Sequence, residues 1–301
     1  MTYTLFDITH RVAKELNITV DGVATGGSTS TLLDSNDRRE ADNYWADGSL
    51  WLWYDTGALG VAPEGEMSVV NASTSSSGTL TFRDSFTVAP GSGDKYSVAR
   101  RVRENIPWLP ILIQKTNQAL QDLGPIPQID VTTVEISSSK NEYSMPIQAN
   151  LDLRRVWIQG NKDADQNEWT ELYNWHIEPG TPGNAGTLVL PLQESSGYDV
   201  RLDYMDYHAE MQVAADALSD HVPIERVVYP AALECLEWLR ELWNGDTKYD
   251  RAIARMEGKV AKAEAYRRLK NVPVRPGKVM LVDWNRPNRP DRSYPGDRNY
   301  R

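Results

Sequence analysis

Four histidines, His10, His176, His208 and His221, come first, because imidazole serves both metal binding and general acid–base chemistry. No two stand at metal-ligand spacing, no HExxH occurs, and the single Cys235 cannot build a thiolate cluster. A structural or surface role is expected for each, with no metal and no other cofactor. Signals for a nucleophile are missing as well. There is no GxSxG elbow and no GxxxxGK[ST] loop, and ATGGST at 24–29 lacks a following Lys. The 42 Asp and Glu could contain a glycosidase-like acid pair, but no spacing nominates two of them. NKDADQNE at 161–168 has the composition of a calcium loop without its central Gly or its closing Glu.

Aromatic side chains are the stronger signal. ADNYWADGSLWLWYDTG, residues 41–57, carries Tyr44, Trp45, Trp51, Trp53 and Tyr54. Exposed, such rings could stack on sugars; buried, they are core or interface. In SLWLWY a strand puts Leu50, Leu52 and Tyr54 on one face and Ser49, Trp51 and Trp53 on the other. Both faces are apolar, so the expectation is a strand buried on both sides, or Trp51 and Trp53 lying beneath a partner.

The elements that hold these residues follow from pattern. Leu5, Ile8, Val12, Ala13 and Leu16 recur at helical spacing, which predicts a helix over 3–17; TGGSTSTLLDSND then reads as a long connection. Strands are expected at 49–54, 66–71, 79–83 and 95–98, forming a small β module over 40–98. A central helix at 111–123 ends at Gly124-Pro125. A second β module over 128–205 takes strands at 130–136, 142–147, 154–158, 169–177, 187–192 and 198–204. Helices return over 206–270. Ile224, Val227, Val228, Ala231, Cys235, Trp238, Leu239 and Leu242 form one buried stripe, Pro230 kinks it or marks its first turn, and Asp246 caps the next helix. Residues 271–301 form an extended Arg/Pro/Tyr-rich tail. Its last stretch, 285–301, has five Arg against two Asp and no aliphatic side chain, so it builds no core of its own. The fold class expected is α+β: N-terminal, central and C-terminal hairpin helices carrying two inserted antiparallel β-sandwich or barrel-like modules.

Composition narrows the function class. At 301 residues, 40% hydrophobic and 25% charged, the chain suits an ordinary globular protein. A formal charge of −10 disfavours a general nucleic-acid binder. Ten Trp against three Phe favours rings with a polar handle at half-wet surfaces. The start has no basic region followed by an apolar core, and no apolar run reaches the ~18–20 residues of a membrane helix, so a soluble, non-membrane protein assembled in a reducing cytosol is expected.

Two segments resemble structural proteins of tailed bacteriophages. Asp42, Tyr44, Trp45 and Gly48 match the opening strand of a small β module common in them, and Gly91, Gly93, Asp94 and Tyr96 match its closing PGSGDxY segment. The basic residue usual in the middle strand is absent from GEMSVVNAS. Tyr204, His208, Ser219, Asp220, Ile224, Val227, Val228, Ala231, Ala232 and Leu236 follow a strand–loop–helix pattern similar to that of phage neck proteins. The resemblance implies a non-enzymatic head–tail connector or adaptor in the virion, assembled in the host cytoplasm. It implies a ring of twelve copies beneath the portal protein, contacting tail or nozzle proteins, its channel passing genomic DNA without sequence-specific binding. Interface residues expected for such a ring are Trp51 and Trp53, and in the tail Arg286, Arg289, Arg292, Tyr294, Arg298, Tyr300 and Arg301. Two other readings stand beside it: a capsid decoration or tail-fibre protein binding host glycans, and a polysaccharide hydrolase.

Overall fold

The structure, a computed structural model, describes residues 2–57, 60–137, 139–146, 152–160, 168–178, 186–191 and 197–266. Among them are fourteen strands in three antiparallel sheets of seven, four and three strands, and four α-helices.

This overturns the expected fold class. The protein is mostly β, and no helical-hairpin scaffold carrying β inserts is evident. The discrepancy begins early. Residues 19–23, assigned to no element, form β1 (Thr19–Val23), and the stretch read as a connection contains β2 (Gly26–Ser28) and β3 (Thr31–Leu33). TVDGV, GGS and TLL are too short and too poor in apolar residues to alternate visibly, and their pairing comes from partners far along the chain. β1 pairs with β7 (Lys95–Ala99), and β3 with β6 (Thr79–Phe82). With β4 (Ser49–Tyr54) and β5 (Glu66–Thr74) the order is β1-β7-β4-β5-β6-β3-β2. The two edge strands are consecutive in the chain, so the sheet curls. Its ends meet where the Arg38 guanidinium donates to the Asp21 carbonyl (2.9 Å) and the Tyr96 hydroxyl to Asp34 (2.6 Å).

β4 runs through the middle, hydrogen-bonded to β5 and β7. Leu50 and Leu52 enter the core inside the curl with Leu32, Val70, Leu80, Tyr96 and Val98. Trp51 points the other way, into a core shared with the helices. A strand buried on both faces is therefore borne out in β4.

The helices close that outer face. α1 (Leu5–Glu15) starts with a capping box: Thr4 accepts from the Asp7 amide while the Asp7 carboxylate accepts from the Thr4 amide (2.9 Å). Its start is clamped from afar, with Leu5 N–H on the Asp216 carbonyl (2.8 Å), Phe6 N–H on Ala214 (3.1 Å) and Leu218 N–H on Tyr3 (2.7 Å). α2 (Trp108–Asp122) begins three residues earlier than its pattern suggested, because Pro110 falls in the first turn, where no intrahelical N–H is needed. In α3 (Glu225–Leu242) Pro230 is interior. The α3 stripe packs against α1 and α2 as well as α4 (Asp250–Tyr266), whose buried side chains are Ile253, Met256 and Ala263, the first two of them in the shared core. Asp246 caps a short 3₁₀ turn, Thr247–Tyr249, leading into α4.

The second β region forms a separate core. A four-stranded sheet, β11 (Trp169–Leu172), β10 (Leu153–Gln159), β14 (Asp199–Asp206) and β8 (Ile126–Glu135), shares it with a three-stranded sheet of β12 (His176–Glu178), β13 (Thr187–Val189) and β9 (Glu142–Ser144).

Cys235 is fully buried, and burial pushes its thiol up to about 12. The folded protein is expected to resist iodoacetamide in mildly alkaline buffer and to take up one equivalent once denatured. Rapid labelling of the folded chain, read by mass spectrometry, would contradict this packing.

Candidate functional site

Each aromatic residue of the opening run has a distinct place. Trp45 is buried, donates its indole N–H to Glu40 (3.0 Å) and carries the Arg38 guanidinium 5.3 Å from its ring. Tyr44 meets Trp45 edge-on at 5.0 Å and has Arg100 over its own ring at 4.1 Å. Trp51 is fully buried, its N–H donated to the Thr9 hydroxyl on α1 (3.2 Å), so within this chain it is a core side chain. Trp53 alone of the two reaches the surface. It is half-buried, nearly parallel to the His10 ring at 6.4 Å, with the Lys95 ammonium 5.5 Å from its ring. Arg286, Arg289, Arg292, Tyr294, Arg298, Tyr300 and Arg301 lie outside the described residues, as does most of NKDADQNE.

The closing segment GSGDKY shapes one corner of the curled sheet. The Asp94 carboxylate accepts from the Thr56 N–H (2.9 Å), the Thr56 hydroxyl (2.9 Å) and the Gly91 N–H (2.6 Å). Gly93 has φ +97° and lies where a Cβ would press on Thr56 at 2.9 Å, so glycine is required for both reasons. Tyr96 lies across its register partner Gly22, where a Cβ would stand 2.5 Å from the ring. In the opening segment the Ser75 N–H holds the Asp42 carboxyl below its ordinary value. The residues of this pattern thus shape turns and core.

A cavity of about 420 Å³ lies between the start of α1 and the β4–β5 connection, lined by Phe6, Asp7, His10, Arg11, Trp53 and Glu64 among others. Behind it runs a polar chain that sequence reading missed, since its members are up to 87 positions apart. His10 Nε2 meets Ser97 Oγ at 2.9 Å, Ser97 donates to Asp21 (2.7 Å), and Asp21 also pairs with Lys14. Ser, His and Asp are all present, yet the wiring opposes nucleophilic catalysis. The serine proton is committed to Asp21, so His10 donates to Ser97 instead of accepting from it, and Ser97 has no exposed surface. The two lining carboxylates are engaged too: Asp7 caps α1, and Glu64 accepts from the Asp55 and Gly60 amides.

Burial lowers His10 from 6.5 to about 4, helped by Lys14 and Arg11 and opposed by Asp21 and Asp7. His10 is thus neutral at neutral pH. His208 is 7% exposed; its Nδ1 faces the Ala209 carbonyl at 2.7 Å and its Nε2 accepts from the Ser219 amide (3.1 Å), pinning the loop ahead of α3. No group of three or more His, Cys, Asp or Glu among the described residues could hold a metal ion, and none of the described helices is long and apolar enough to cross a membrane.

No protein-family model matches this chain, and no significant match was found among curated proteins.

Proposed function

We propose that this chain is a non-enzymatic virion protein, the adaptor or connector ring that docks beneath a phage portal and joins head to tail. The observation that carries this reading is the use made of the two phage-like patterns. Asp42, Trp45, Asp94 and Tyr96 build the curled sheet, while His208, Ile224, Val228 and Ala232 fix the loop and helix packed beside it. The sheet and helices share one core through Trp51, Val69 and Ala99, a rigid union suited to a subunit that bears load between neighbours. Support also comes from the inert wiring of His10, Ser97 and Asp21, and from an overall charge of −10 that lets DNA pass without adhering.

The test is co-expression with the portal protein of the same genome, followed by negative-stain imaging. A ring seated on the portal is expected; a chain that stays apart from the portal and is absent from purified virions rules the reading out. Within it, the five-Arg arm 285–301 contributes guanidinium forks to the portal or a neighbouring subunit. Deleting 285–301 is expected to leave thermal unfolding unchanged and to weaken docking about tenfold, the scale of one charge-assisted hydrogen bond. Docking of unchanged affinity and salt dependence would remove the arm from the interface.

A further inference from the structure

The four helices are not held alike. α1 and α2 each bury six side chains and α3 seven, whereas the 17 residues of α4 bury only Ile253, Met256 and Ala263. α4 runs antiparallel along α3, which is its main packing partner. Charge fastens it further. Arg240 pairs with Asp250 at its start (3.6 Å) and Arg226 with Glu264 near its end (3.4 Å). Between them Lys259 pairs with Glu15 at the end of α1, its ammonium 5.2 Å from the Tyr229 ring. Asp250 is 54% exposed and Glu264 61%, so water and salt reach both outer pairs. The Lys259 latch borders a cavity of about 360 Å³ between α1 and the start of α3, lined by Glu15, Val228 and Tyr229 among others. Packing does not back the latch on that side.

The backbone points the same way. The link from α3 to α4 turns through Asn244 (φ +56°) and Gly245 (φ +77°), two consecutive left-handed residues. Gly258 stands in the interior of α4. A helical glycine is commonly required where another element lies too close for a Cβ. Gly258 is exposed, and a Cβ there would meet nothing within 4 Å. No neighbour within the chain requires it, yet it weakens the helix relative to alanine because glycine gives up more backbone freedom on folding.

We infer that α4 is a hinged strap, which swings off α3 about Asn244-Gly245 while α1, α2 and α3 stay folded on the seven-stranded sheet. Opening breaks partly exposed ion pairs and uncovers few buried side chains. α3 keeps its contacts with α1 and α2, and its Val227, Ala231 and Cys235 remain in the core that includes Trp51. The open state is thus still a folded protein, reached at less cost than global unfolding. Gly258 keeps the closed state from being overstabilised. The ionic clasp makes opening salt-sensitive: the strap is closed at low ionic strength and released as salt screens the pairs.

Native-state amide exchange of the full chain tests this without a portal, so its outcome is separate from that of the adaptor reading. Amides of 253–264 are expected to exchange at least about tenfold faster than those of 228–240, and faster still as salt rises from about 0.05 M to about 0.5 M. Gly258→Ala should slow exchange in α4 about two- to fivefold and leave α3 unchanged. Lys259→Glu should speed it, and Glu15→Lys added to that variant should restore the parent rate. Exchange of α4 in step with α3 under every condition, or variants that shift both helices alike, overturns the inference, because α4 would then open only with the whole domain. Exchange in α4 indifferent to salt and to Lys259→Glu overturns it too, since the clasp would not be what holds the strap.

Discussion

Trp51→Ala is expected to lower the free energy of unfolding by about 3–5 kcal/mol, the range for emptying a fully buried indole site. Trp51 has no exposed surface, and its strand is hydrogen-bonded on both sides, which limits collapse around the gap. Its N–H also satisfies the Thr9 hydroxyl, itself buried and donating to the Leu5 carbonyl at 2.9 Å. Losing the ring therefore empties the seam between α1 and the seven-stranded sheet. Against a typical stability of about 5–15 kcal/mol this is a large fraction. Urea unfolding should show a lower midpoint with unchanged slope. Trp53→Ala, at a half-buried site, is expected to lose less than half as much. Comparable losses from the two variants would mean that Trp51 is not the side chain joining sheet to helix.

A fall in stability on acidification is the second large effect, and His10 is its source. The native His10 value, about 4, lies below the 6.5 of the unfolded chain. Between those values the unfolded chain binds a proton that the folded chain does not, so stability rises with pH across the window. The contribution is fully present above about pH 6.5 and lost below about pH 4. At about 1.4 kcal/mol per unit the ceiling is about 3 kcal/mol, and partial access of the ring to water reduces it to about 1–3 kcal/mol. His10→Gln removes the titration and keeps a donor for Ser97. The difference between parent and variant isolates His10 from carboxylates that titrate at the lower end of the window, with Asp21 itself held below its ordinary value despite partial burial by Lys14 and Ser97. Parallel stability curves for the two proteins from pH 4 to 6.5 would contradict this account.

Periodicity made some of this structure legible. β4 announced itself through alternating leucines and aromatics, and α3 through its apolar stripe, because each buries a regular face. β1 to β3 did not, since TVDGV and GGS gain their order from β7 and β6 and not from themselves. Counting strong helical stripes while missing weak strands produced the wrong fold class. For the site, the split between the faces of SLWLWY was readable, but which face met a helix was not. That depends on Thr9 arriving at Trp51 and His10 at Trp53 from 42 and 43 positions away. The Ser97–Asp21 contact is longer-range still, joining two strands only one of which was expected.

The clamp on the start of α1 also bears on how the protein is made. Tyr3, Leu5 and Phe6 find their backbone partners at Leu218, Asp216 and Ala214. Those residues leave the ribosome more than two hundred positions later, a delay on the order of 10–40 s at roughly 5–20 residues per second. Strands β1 to β7 all lie within the first hundred residues and can pair during that interval. Thr9 and His10 can meet Trp51 and Ser97 in the same interval, but the start of the first helix and the face it turns to α2 and α3 wait until the far side of their socket has been synthesised.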